Sequence, residues 1–215
     1  MGKREIAQRH PILFGIFCKI NHLPCLNKNL NIKRCILVRT KIKDNGNGNI
    51  INVGDFSNLK NGFLGLYGDN NQIIIGENVN LRGLSICIEN NNNTVVIGDN
   101  TTCEGNVEIA CLEGTKVSIG ADCMLSANIS IRTGDSHSIL DLQGKRVNLS
   151  KNIKIGDHVW IGNTVKILKG CNICSNSVVG TGSIVANKFD EVGVVIVGNP
   201  ARVIKREINW DRKRL

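Results

Sequence analysis

One histidine stands in a setting that suits proton transfer: His137, within Asp135-Ser136-His137-Ser138-Ile139, with Asp141 four residues on. An imidazole titrates near neutrality, so it can take a proton from a hydroxyl, and a nearby carboxylate, Asp135 or Asp141, would fix its tautomer. The other histidine near the patterned part of the chain is His158, in Gly156-Asp157-His158-Val159-Trp160. It falls at a turn inside a regular repeat and reads as a solvated corner. Nine cysteines form an odd set scattered through apolar sequence, which fits the reducing cytosol better than a disulfide framework. Cys171-x-x-Cys174 has no second pair and no histidines spaced for zinc, so no metal is expected.

The elements that position these residues show in the repeat. Four windows of 22 residues, 44–65, 66–87, 88–109 and 110–131, align without gaps on an aliphatic-Gly pair: Val53-Gly54, Ile75-Gly76, Ile97-Gly98 and Ile119-Gly120. Twenty-two is three sixes plus four. Stepping by six from each pair reaches Leu59 and Gly65, Leu81 and Cys87, Cys103 and Ile109, then Leu125 and Ile131, nearly all apolar. Later the step runs unbroken through Ile155, Ile161, Ile167, Ile173, Val179 and Val185, with small or β-branched Val159, Val165, Cys171, Ser177 and Ser183 four positions after a step. A helix repeats every 3.6 residues and a half-buried strand every two, so a period of six matches neither alone. It describes an all-β solenoid: short parallel strands, three faces per triangular coil, aliphatic residues stacked inward. The four extra residues of each early coil, rich in Asn, form a small bulge at one corner, where stacked amides can bond along a ladder.

A coil cannot bury its own face, so the ends need caps. The sequence predicts a basic N-terminal cap over 1–43, with a short amphipathic helix within 1–35 and a strand near 36–42. The solenoid proper follows over 44–199, and residues 200–215 form a closing helix and basic tail, with Pro200 at the first helical position. Residues 132–148 break the repeat and form its one long protruding loop, which carries His137; such loops tend to carry function.

Composition agrees. The chain of 215 residues holds 23 Gly, 29 Asn and only 4% aromatic residues, so the core is Ile, Val and Leu while Gly and Asn turn the corners. The net charge of +9 is concentrated at the ends: residues 1–43 carry ten Lys/Arg against Glu5 alone. Basic ends suit anionic partners. Few rings count against base stacking, hence against a nucleic-acid partner, and no run approaches the roughly 20 apolar residues of a membrane span.

Residues 153–206 contain G-D-x-V-W-I-G, then G-x-G-S-x-V, then G-N-P-A-R-V-I-K. This stretch resembles the C-terminal half of the hexapeptide-repeat acyltransferases, left-handed parallel β-helix enzymes that use acetyl-CoA. Together with G-D-S-H-S-I in the excursion, it is most similar to the subgroup that O-acetylates polysialic acid and related surface polysaccharides. The resemblance implies that His137 is the general base for direct attack of an acceptor hydroxyl on the thioester. Trp160 would lie against the reacting groups and the coenzyme. Asn163 would touch the pantetheine arm, and Thr181, which replaces the usual Ala, would offer its backbone amide. Arg202 and Lys205 would meet the coenzyme phosphates, while Lys188 lies one place later than the family's lysine. It also implies a homotrimer with active sites between subunits and a glycan acceptor, which the basic N-terminus suggests is polyanionic. A small acceptor such as a sugar nucleotide, amino acid or antibiotic is the alternative, and a non-catalytic scaffold a further one.

Overall fold

The computed structural model describes residues 30–32 and 34–213; the amphipathic helix expected within 1–35 lies largely outside the described residues. From Leu30 onward the chain winds into a parallel β-solenoid of about seven turns. One face stacks Leu30–Ile32, Ile50–Val53, Gln72–Ile75, Thr94–Ile97, Lys116–Ile119, Ile153–Ile155, Asn172–Ile173 and Lys188–Phe189. The second and third faces meet in the long strands Thr102–Leu112 and Met124–Arg132, each of which runs through a corner.

The repeat sets the register. Ile51 pairs with Ile73, Ile73 with Val95 and Val95 with Val117, each 22 residues apart. In the later coils Ile155, Ile161, Ile167, Ile173, Val179 and Val185 are all at most 1% exposed, so the core is one column of aliphatic side chains. The glycine after each aliphatic residue lets the next coil approach: a Cβ on Gly98 would lie 2.5 Å from the backbone of Gly120 and Ala121, closer than real Cβ atoms stand. The amide ladder forms as expected. The backbone N–H groups of Asn71, Asn93 and Thr115 donate to the Oδ1 atoms of Asn49, Asn71 and Asn93 at 2.8, 2.9 and 3.0 Å.

Two expectations fail. The six-residue step is wrong on the third face of the first two complete coils, where Gly65 and Cys87 point outward while Leu64, Leu66, Ile86 and Ile88 fill the core. The reason is one extra residue at the Gly105-Asn106 corner, because Cys103 pairs with Leu81 but Val107 pairs with Leu84. A shift of one residue swaps the two faces of a strand. The second failure is the closing helix. Ala201–Lys205 is a strand, antiparallel to Val195–Gly198, with Pro200 in the turn between them. There it covers the edge of the last complete coil, and residues 206–213 continue without helix.

Candidate active site

The excursion leaves the stack after Met124–Arg132 and returns before Ile153, so that Val117 pairs with Ile153, 36 residues away. Its outer part is a small arm: Leu140 bridges Arg146, the Val147 N–H donates to the Ile139 carbonyl at 2.9 Å, and Asp141 closes the tip. Asp141 accepts the backbone N–H groups of Gln143 and Lys145, at 3.0 and 2.8 Å. It serves the turn. Asp135 bonds to Lys169 and to Asn148 Nδ2. The Lys169 ammonium, and then the Asn148 amide, hold the Asp135 carboxyl below its ordinary value. That tie therefore stays charged above the usual carboxylate range and is lost as pH falls through the lowered value. Neither carboxylate bonds to the His137 ring within the chain, and among the described residues no hydrogen bond or ion pair involves that ring. His137 is exposed.

The base of the arm is fixed by residues that the sequence reading did not single out. Asn148, 8% exposed, donates to the His137 carbonyl at 2.7 Å and to Asp135, and accepts from the Ile139 N–H at 2.7 Å and from Arg146 Nε at 3.2 Å. Glu113 in the preceding coil takes two hydrogen bonds from Arg146 and one from Ser150 Oγ. Nothing in the local sequence signals these roles: Asn148 acts only once the loop has closed on itself, and Lys169 reaches Asp135 from a coil that meets the loop only after folding.

A second group lines another face. Trp160, at the start of Trp160–Ile161, is 38% exposed, and its Nε1 donates to Ser126 Oγ at 3.3 Å. At the following corner Asn163 Oδ1 accepts the Ala127 N–H at 2.9 Å, and the Asn163 carbonyl accepts the Gly182 N–H at 2.9 Å. Thr181 stacks on this corner, where its backbone nitrogen would stand 2.7 Å from a Cβ on Gly162. Arg202 pairs across to Val197, whose side chain packs on Gly180. Arg202 and Lys205 are exposed on the closing strand, and neither joins an ion pair among the described residues, whereas Arg206 pairs with Glu191. The structure thus gathers Trp160, Asn163, Thr181 and Arg202 on and beside the second face. Lys188 lies apart from them, in a cleft with Lys151 and Lys169 at the side where the arm emerges.

His158 is not a solvated corner. Its Nδ1 stands 2.7 Å from Asp122 Oδ2 and its Nε2 3.0 Å from the Trp210 carbonyl, with the Trp210 ring stacked 4.2 Å away. With both ring nitrogens engaged inside the chain, neither is open to a substrate. Burial pushes the Asp122 carboxyl up, but hydrogen bonds from His158 and Arg212 outweigh it and leave the carboxyl below its ordinary value. Among the described residues no cluster of metal-binding side chains occurs, and no helix is long and apolar enough to cross a membrane.

No family model matches the chain. Solved structures do. It is 33% identical to a polysialic acid O-acetyltransferase, with a TM-score of 0.74 over 84% of this chain and 92% of that one. It is 34% identical to a polySia-specific acetyltransferase, with a TM-score of 0.67 over 81% and 89%. The chain belongs to the hexapeptide-repeat, left-handed β-helix acetyltransferases. Among curated proteins it is 37% identical over 110 residues to the polysialic acid O-acetyltransferase of Neisseria meningitidis. That stretch covers 51% of each protein, so the chain spans about half the length of this curated relative.

Proposed function

We propose that the chain is an acetyl-CoA-dependent O-acetyltransferase acting on a hydroxyl of a surface glycan, a capsular polysaccharide such as polysialic acid or a lipopolysaccharide. One observation carries the choice of base: His137 sits on an anchored loop with its imidazole unengaged, while His158 has both ring nitrogens occupied. In this reading His137 takes the proton of the acceptor hydroxyl as that oxygen attacks the thioester carbonyl. The C–S bond then breaks, His137 returns the proton to the sulfur, and the products are the ester and the free thiol. Trp160 lies along the reacting groups. Asn163 and the Thr181 amide line the pantetheine path, Arg202 and Lys205 meet phosphates beside that face, and Lys188, on the arm side, joins them from the neighbouring subunit. The arm and the Trp160 face occupy different sides of one coil stack, which favours a homotrimer in which His137 of one subunit serves the coenzyme groove of the next. Polysialic acid is the polymer in the names of the relatives, and the basic chain ends suit such a polyanion.

The test is to incubate the protein with acetyl-CoA and a panel of capsular and lipopolysaccharide glycans, follow thiol release, and locate the new ester by mass. His137→Ala is expected to keep its β-sheet circular dichroism and lose about 100-fold or more in turnover, the usual scale for a general base. Full activity in that variant sinks the assignment.

A further inference from the structure

The tail beyond the closing strand runs back along the stack and packs on one corner. At that corner five coils place residues of positive φ in register: Asn78, Asn100, Asp122, His158 and Asn176, with φ of 53, 58, 53, 52 and 59°. Asn and Asp adopt this conformation readily. Of these five His158 alone brings a ring, Phe56 holding the same position in an earlier coil with φ of 61°, and the Trp210 indole stacks on His158 with an interplanar angle of 10°. Trp210 Nε1 donates to the His158 carbonyl at 2.8 Å, and the indole is 8% exposed. Arg212 then locks the tail to earlier coils, donating to Asp122 Oδ1 at 3.0 Å, Thr102 Oγ1 at 2.8 Å and the Cys123 carbonyl at 2.9 Å. Trp210 also meets Trp160, with ring centroids 6.1 Å apart and tilted by 46°.

Trp160 projects outward from a two-residue strand and is 38% exposed, and among the described residues the hydrogen bond of its indole is the 3.3 Å contact to Ser126. A reacting-site group works only if its rotamer is locked by packing behind it. We propose that residues 208–213 are a strap that sets the orientation of the Trp160 indole, with Trp210 as the positioning residue. The functional consequence rests on the reading that Trp160 lies against the coenzyme; the positioning itself does not.

The chain contains two tryptophans, so any substitution of Trp210 leaves Trp160 as the sole indole reporter. Trp210→Phe keeps an aromatic ring beside His158 and Trp160 but loses the N–H and part of the ring area. Trp210→Ala removes the ring. Relative to Trp210→Phe, Trp210→Ala is expected to shift Trp160 emission to the red, raise acrylamide quenching about twofold, and lower kcat/KM for acetyl-CoA about tenfold, the scale of a small misplacement. Arg212→Ala, which frees the strap without emptying the pocket, is expected to move the activity in the same direction by a smaller factor, and stands in if Trp210→Ala does not fold. Equal quenching in the Phe and Ala variants overturns the strap; altered quenching with unchanged turnover in both Trp210→Ala and Arg212→Ala overturns its consequence for the reaction. If the unaltered protein releases no thiol with any acceptor, the acetyl-transfer reading fails, and the fluorescence comparison still decides the positioning.

Discussion

Asn148 does for His137 what Trp210 is proposed to do for Trp160. Its four hydrogen bonds, to the His137 carbonyl, Asp135, the Ile139 N–H and Arg146, spend the whole amide on the shape of one loop. A buried amide so used is costly to remove because each former partner is left without one. The coils lie outside this network, since the Val117 to Ile153 register does not pass through it. Asn148→Ala should therefore leave the solenoid folded while amide exchange over residues 135–148 accelerates and kcat/KM falls about tenfold or more, as geometry is lost at the base. Unchanged exchange in that segment together with normal turnover counts against the role. His137 stands out in the sequence as a candidate, a loop histidine flanked by Ser and Asp in a stretch that resembles the acyltransferases. The anchors of its loop do not, because Asn148 reaches the His137 carbonyl from eleven residues away and Lys169 reaches Asp135 from a separate coil.

At the scale of the strand and corner, the repeat was legible wherever one residue type faces itself coil after coil. The stacked amides show why. Asn71 is fully buried; its Oδ1 accepts from Asn93 N and Nδ2 at 2.9 and 3.0 Å, and its Nδ2 donates to the Asn90 carbonyl at 2.8 Å. Asn71→Ala takes the partner from the Asn93 N–H and the Asn90 carbonyl, while Asn93 Nδ2 keeps the Glu89 carbonyl at 2.9 Å, and should cost about 1–3 kcal/mol in urea unfolding, the penalty for an orphaned buried polar group. A cost near zero would mean that water replaces the ladder. The two misread elements fail for physical reasons of the same kind. The extra residue at Gly105-Asn106 is recovered further along, where the Thr94 to Lys116 pairing returns to 22 residues, so an ungapped alignment passes over it. The closing strand Ala201–Lys205 is too short for a period, with Ala201 buried but Arg202 and Ile204 both exposed. Only its partner Val195–Gly198 makes it a strand.

The whole molecule raises the question of what completes the site. A solenoid is stabilised by neighbouring coils alone, so nothing within one chain draws the arm across to the Trp160 face. The arm exposes apolar surface out of proportion to its size, with Ile139, Leu140, Leu142 and Val147 at 58, 57, 101 and 58%, as suits a surface that another copy covers. If each site takes His137 from one subunit and Trp160 from the next around a closed ring, two inactive variants can repair each other. In trimers formed from equal amounts of His137→Ala and Trp160→Ala chains, a site is whole when the first subunit has its histidine and the following one its tryptophan. Random mixing gives that arrangement at roughly a quarter of the sites of a cyclic assembly, so roughly a quarter of the unaltered turnover should return. The measurement is thiol release from co-refolded mixtures, with each variant refolded alone as the blank. If both groups acted within one chain, every site in the mixture would carry one defect, and the activity would stay at the level of the blanks.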